Sequence, residues 1–245
     1  MSAVIPLQVT NRLLSALPPK ERNKVLDNCE LVDLSVGEVL CETGQPFINI
    51  YFPLTSFISL TSSVSGHPGL EASLIGNEGM LGATLALGIN KAIMPGTVQG
   101  SGTAWRMSTL QFSQEIQRTP ELLKILHGYV HALIAQLSKM LACTSFHEVE
   151  PRLARCLLMT HDRAHADHFH LTHQLLADMI GVQRGAVTLA AGALQKRGLI
   201  SYSRGGIRIL SRKGLESASC VCYAEMSHDF SRPHGQAFPR QKKAR

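Results

Sequence analysis

Arg184 and Thr188 stand one helical turn apart, off an apolar stripe made of Val187, Ala190, Ala191 and Leu194. A guanidinium and a hydroxyl so placed can face the edge of a nucleic-acid groove while the stripe turns inward. A few residues on, Arg204 and Arg208 sit at the tip and flank of a glycine-rich hairpin, with Gly205 and Gly206 in its turn. The chemistry on offer is hydrogen bonding and ion pairing to a polyanion.

The elements that must hold these groups are legible around them. Thr172 is a candidate N-cap, and Leu175, Leu176, Met179 and Ile180 follow at helical spacing. Ala177 leaves room for a crossing helix, and Gly181 suits a sharp turn. A second helix is predicted from about 183 to 197, ended by Gly198, with strands at 199–202 and 207–210. Residues 171–210 thus read as a winged helix-turn-helix, a DNA-binding module.

Charge agrees with this reading. Of the net +6, residues 1–145 carry nine Lys and Arg against ten Asp and Glu, and residues 146–245 carry fifteen against eight. The basic excess lies wholly in the half with the helix-turn-helix, although Arg240, Lys242, Lys243 and Arg245 of the tail supply part of it. A length of 245 residues with 44% hydrophobic content allows one or two soluble domains. No apolar run is long enough for a membrane span, and the N-terminus lacks the pattern of a signal peptide, so a cytoplasmic location is expected. The six cysteines form no CxxC pair, and Cys220 and Cys222 read as packing residues.

Residues 1–30 read as polar N-terminal helices, with Pro18-Pro19 between them. From Leu31 the period turns strand-like. Seven short β-rich segments, divided by turns such as 44–46, 66–69 and 76–79, predict an all-β sandwich, barrel or jelly roll with a hollow or face for a ligand. A long helix from 121 to about 146 carries Leu123, Leu126, Val130, Leu133, Leu137 and Met140 at 3-4 spacing, a coiled-coil seam for an identical helix. Leu122, Ile125, Tyr129, Ile134 and Leu141 fall outside that seam and would pack within the protomer. A helix from 148 to about 161, a polar histidine-rich link, the winged motif and a closing helix from 212 to about 227 complete the plan. The domains are therefore drawn at 1–30, 31–118 (sensor), 119–147 (dimerisation helix), 148–225 (DNA-binding) and 226–245 (a basic tail expected to be disordered).

This α+β order, a β-roll or jelly-roll sensor, a long dimerisation helix and a C-terminal winged helix-turn-helix, resembles the cyclic-AMP receptor/fumarate–nitrate regulator (Crp/Fnr) superfamily of bacterial transcription factors. The likeness spans about 15–225 and is most specific in PRLARCLLMTHDRA and the stretch 171–210, with GNEGMLG at 76–82 in the sensor. The resemblance implies a homodimer on a near-palindromic site in double-stranded DNA, with RNA polymerase as a further partner and an unidentified small molecule as a possible effector. It makes Gln183, Arg184 and Thr188 the base readers, Arg184 bonding O6 and N7 of guanine. His173, Arg204 and Arg208 become phosphate contacts. Gly185 and Leu189 stand where the family often has Glu and Arg, which implies a changed target sequence.

For the sensor, the resemblance points to a pocket at Glu78, Gly79, Met80 and Gly82. Cyclic-nucleotide binders of this kind follow such a turn with an Arg for the phosphate. The segment 91–97 here holds Lys91 and no Arg, so a cyclic nucleotide is not expected. Cys29 and Cys41 do not make an iron–sulfur set, and His67, in a turn, makes no haem site. His161, His165, His168, His170 and His173 lack a partner cysteine, so no metal is expected either. An enzyme is not expected, since no GxSxG, HExxH, P-loop or dinucleotide fingerprint occurs. The competing reading is a ligand-binding signalling module that acts through protein contacts and has only non-specific DNA affinity.

Overall fold

The computed structural model describes residues 10–65, 69–203 and 205–231, and for 228–231 the backbone alone. Seven strands fall where the β-rich segments predict them: β1 (Glu30–Leu34), β2 (Val39–Cys41), β3 (Asn49–Pro53), β4 (Phe57–Ser62), β5 (Leu70–Ile75), β6 (Gly96–Gly100) and β7 (Gly102–Ser108). They form two antiparallel sheets, ordered β1-β7-β3 and β2-β6-β4-β5. Leu34, Tyr51, Ile58, Ile75, Leu81, Val98 and Ala104 fill the space between them. Alternation explains the choice: in β3 and β7, every second side chain turns to this core and its neighbours to the helical side.

Helices cover that other side. α1 (Arg12–Ser15) is capped by Asn11, whose side-chain oxygen accepts from Leu13 and Leu14 while its amide donates to Pro53 and Gly79 carbonyls. α2 (Pro19–Asp27) begins on the proline, as expected. The long helix α4 (Pro120–Phe146) lays Leu122, Ile125, Leu126 and Tyr129 into a core with Leu13, Phe52, Met107 and Phe112. Phe112 belongs to α3 (Thr109–Arg118), a helix the β-rich reading of 31–118 passes over. Ser108 caps α3, accepting from the Gln111 N–H at 3.3 Å.

Beyond α4 lies a second globular unit: α5 (Val149–Ala164), β8 (His168–His170), α6 (His173–Ile180), α7 (Arg184–Lys196), β9 (Ile200–Ser203), β10 (Gly206–Ile209), α8 (Arg212–Ala218) and α9 (Cys222–Ser231). Leu153, Leu157, Leu176, Val187, Leu194, Ile207 and Leu215 form its core.

Three features differ from the sequence reading. The histidine-rich link contains β8, which pairs antiparallel with β10 and makes the wing three-stranded, in the order β8-β10-β9. The pairing, and no β propensity of His168-Phe169-His170, creates that strand. The closing helix is two helices, because Ser219 leaves the helical basin at φ −76°, ψ 158°. α9 also runs past 226 to Ser231, into the segment expected to be a tail. Residues 1–9 of the N-terminal helices, His67 and the tail from 232 lie outside the described residues, as does Arg204. Among the described residues no helix is long and apolar enough to cross a membrane.

Candidate nucleic-acid interface

The helix pair is set by its caps. The Thr172 hydroxyl accepts from the Leu175 N–H at 3.1 Å, fixing the start of α6. Gly181 ends it with φ +65°, a left-handed conformation that costs most residues about 1–2 kcal/mol. α7 then buries Val187, Ala190, Ala191 and Leu194, and presents Arg184, Gly185, Thr188, Leu189 and Gly192 outward. Gln183 is its N-cap residue by backbone, yet its side chain makes no capping bond and is exposed with Arg184. Arg208 is exposed on β10 between two buried isoleucines, facing Ser201 across the ladder.

Two of the expected contact residues are tied to each other. The Thr188 hydroxyl donates to the Arg184 carbonyl at 3.1 Å and lies 3.0 Å from His173 Nδ1. The His173 ring stacks on Tyr202 of β9, with centroids 4.1 Å apart. Burial, and secondly the Arg184 charge, lower the His173 pKa. With its Nδ1–H on Thr188, His173 is a strut that joins α6, α7 and the wing.

Residues 151–218 match the family model of the Crp-like helix-turn-helix domain. This unit is a Crp-like helix-turn-helix domain. No curated protein matches the chain in sequence. Solved structures match it in fold. A transcriptional regulator of the CRP/FNR family from Thermus thermophilus is 23% identical with a TM-score of 0.65, over 78% of this chain and 98% of its own. A Crp/Fnr-family protein from Eubacterium rectale is 14% identical with a TM-score of 0.65, over 84% and 96%. The c-di-GMP responsive regulator CLP of Xanthomonas campestris is 15% identical with a TM-score of 0.64, over 78% and 99%. Over 78–84% of its length the chain therefore has the Crp/Fnr fold, with an N-terminal β-sheet domain, long helices and the Crp-like domain in that order.

The Crp-like domain is docked on the N-terminal β-domain by buried polar groups that sequence reasoning missed. Arg163, in the last turn of α5, meets Glu78 of the sensor loop, with Nη2 and Nε at 2.6 and 2.9 Å from Glu78 Oε1. Both side chains are less than a tenth exposed. Glu78 also accepts from the Gly76 N–H at 3.1 Å. The carboxylate expected in an effector pocket is thus committed to the domain junction. Gly79 is explained by packing: a β-carbon there would collide with the Tyr129 hydroxyl, which donates to the Met80 carbonyl. Gly82 has φ +97° and opens the short 3-10 turn Ala83–Leu87.

A cavity of about 200 Å³ does lie between the sensor and α4, and Met80 and Gly82 line it with Phe47, Ile75, Leu81 and Leu133. Among the described residues its wall holds no basic side chain. Ser73 Oγ and Thr84 Oγ1, two wall residues, are buried without a hydrogen-bond partner.

The residues of the expected seam on α4 differ in exposure. Leu126 is wholly buried in its own protomer and has no surface for a partner, whereas Ile134 and Leu141 are 59% and 73% exposed. Leu123, Val130, Leu133, Leu137 and Met140 are half-buried. The outward stripe is Leu123, His127, Val130, Ile134, Leu137 and Leu141, again at heptad spacing but one position round from the expected set.

Glu71 on β5 is enclosed where the sensor meets α5 and α6, and accepts from the Ser59 hydroxyl at 2.9 Å. Burial pushes its carboxyl up to about 7, against the lowering effects of Ser59, Arg163 and Arg155. A folded pKa above the ordinary value of 4.5 means that the folded state binds the proton more tightly. Its contribution to stability is therefore full below the unfolded pKa and falls as pH rises through about 7. Glu71→Gln removes that fall. Urea titrations should find the variant more stable than the parent by about 2–4 kcal/mol above the folded pKa, with the gap closing towards the unfolded pKa.

Proposed function

We propose that the protein is a sequence-specific DNA-binding transcription regulator. It acts as a homodimer on a near-palindromic site, and its β-roll domain receives the signal. The observation that carries this reading is the outward face of α7. Gln183 and Arg184 stand exposed at the start of a helix whose other face is wholly committed to the Crp-like core. In this reading Gln183, Arg184 and Thr188 face base edges, Arg208 a phosphate, and Gly185 and Gly192 allow close approach of the helix to the groove. Arg204 belongs to the same set by sequence alone. Two such helices, paired through the outer stripe of α4, read two half-sites.

The signal fits the cavity beside Met80 and Leu133, whose walls suit an apolar effector with one or two polar atoms for Ser73 and Thr84. RNA polymerase is the further partner that a transcription regulator of this kind implies. The reading is tested by Arg184→Ala on the protein's preferred duplex. Affinity should fall by about 1–3 kcal/mol, and discrimination should relax at one symmetric pair of positions. Parent binding should weaken steeply as salt rises. Equal affinity for preferred and scrambled duplexes, in parent and variant alike, would leave a protein-contact module as the better reading.

A further inference from the structure

Cys143 and Cys220 are 77 residues apart in sequence, yet their sulfurs lie 3.5 Å from each other. Beside them, Cys222 Sγ is 3.6 Å from His147 Nδ1, and all four ligand atoms lie within 4.8 Å of one another. Among the described residues this is the one gathering of three or more such groups that could hold an ion. We propose that Cys143, His147, Cys220 and Cys222 form a site for a zinc-class divalent cation that fastens the end of α4 to the link between α8 and α9.

The spacing fits the chemistry. Metal–sulfur bonds of about 2.3 Å and metal–nitrogen bonds of about 2.0–2.1 Å, set tetrahedrally, place neighbouring ligand atoms roughly 3.4–3.8 Å apart. Two edges of the set already have that length, and the others need to close by no more than about an ångström. Each pair comes from a local frame that holds it. Cys143 and His147 are one turn apart at the end of α4, where the His147 N–H donates to the Cys143 carbonyl at 3.1 Å. Cys220 and Cys222 flank the break between α8 and α9, with the Cys220 N–H on the Pro151 carbonyl. That break, unexplained by glycine or proline, gains a purpose here. Three thiolates and one imidazole fill four positions, the closed donor set of a structural zinc rather than a catalytic one.

Ordinary packing accounts for less. The three cysteines are buried with Met159 and Met226, as small hydrophobes would be. It does not explain the imidazole against Cys222, or the two cations nearby. Arg152 and Arg155 are 5% and 2% exposed, and neither forms an ion pair among the described residues. Arg152 donates to the Ile180 carbonyl, Arg155 reaches only the Met159 sulfur, and the Nε of each has no partner. Buried guanidiniums without a paired carboxylate are costly. A divalent ion with three thiolates carries one net negative charge, of the sign that suits these two cations. Binding releases one proton to solvent for each thiol that ionises. The five histidines of the 161–173 region do not assemble in this way: His161 is engaged by Asp167 at 2.8 Å and Arg212 at 2.7 Å, and His173 by Thr188.

The position gives the ion a consequence. His147 is where the chain leaves α4 for α5, so an ion there fixes the angle between the dimer helix and the Crp-like domain. This last step rests on the DNA-binding reading above, and the site itself does not.

Full-length protein, reduced and stripped with a chelator, is titrated with Co²⁺. The expected result is a thiolate-to-cobalt charge-transfer band with strong tetrahedral d–d bands, saturating at one ion per chain and bleached by one equivalent of Zn²⁺. Cys143→Ser and Cys220→Ser should lose the bands, and a Cys29→Ser, Cys41→Ser double variant should keep them. Because the parent spectrum is itself diagnostic, misfolding of a variant does not rescue the proposal. No tetrahedral spectrum in the parent, or an unchanged one in Cys220→Ser, overturns it. DNA affinity measured with and without Zn²⁺ then tests the clamp separately. Indifference to Zn²⁺ in a protein that binds both the ion and DNA sinks the clamp alone.

Discussion

Changing Ile134 and Leu141 together to glutamate should leave the protein monomeric in sedimentation while its thermal unfolding changes little. Both side chains are exposed in the single chain, at 59% and 73%, so the charges meet water in the monomer. In a paired helix they would be buried without a partner, at a cost of several kcal/mol for each pair of facing charges. The DNA effect should be larger than that of any contact residue. Losing the second reader removes the avidity of a two-site grip, roughly 10²–10⁴-fold in affinity. Leu126→Glu makes the contrast: it should unfold the sensor, since Leu126 lies in the core with Phe112 and Tyr129.

Replacing Arg163 by Met should lower the unfolding free energy by about 3–5 kcal/mol, the cost of leaving one charge of a buried pair alone. Glu78 would keep only the Gly76 N–H at 3.1 Å while remaining 6% exposed. Adding Glu78→Leu to Arg163→Met should recover much of the loss, because two apolar groups need no partner. Denaturant titration of the parent, both single variants and the double variant reads this directly. A double variant as unstable as the Arg163→Met protein would mean that the pair does not account for the cost. This ion pair is a buried charge link between the N-terminal β-domain and the Crp-like domain.

The strands, the long helix and the winged motif were legible because period and punctuation act locally. Thr172 and Gly181 mark their turns by their own side chains or lack of one, and the structure confirms both. The seam on α4 was harder. That helix carries overlapping apolar stripes, and spacing alone cannot say which one the sensor covers. Leu126 and Ile134 exchange roles for that reason. β8 was invisible because its partner β10 creates it. Glu78 and Arg163, 85 residues apart, and Cys143 and Cys220, 77 apart, meet only once the two units dock. No local signal in the sequence marks such pairs, beyond the oddity of arginines within the apolar run of α5.

A regulator of the proposed kind reads one symmetric sequence with the outward faces of two α7 helices. The measurement is selection of random duplexes by the full-length protein followed by sequencing, with the Arg184→Ala variant alongside. The expected result is a single enriched motif with twofold symmetry, its half-sites about one helical turn apart, and a relaxed base at one symmetric position in the variant. No enriched motif, or one without symmetry that the variant shares unchanged, would contradict it.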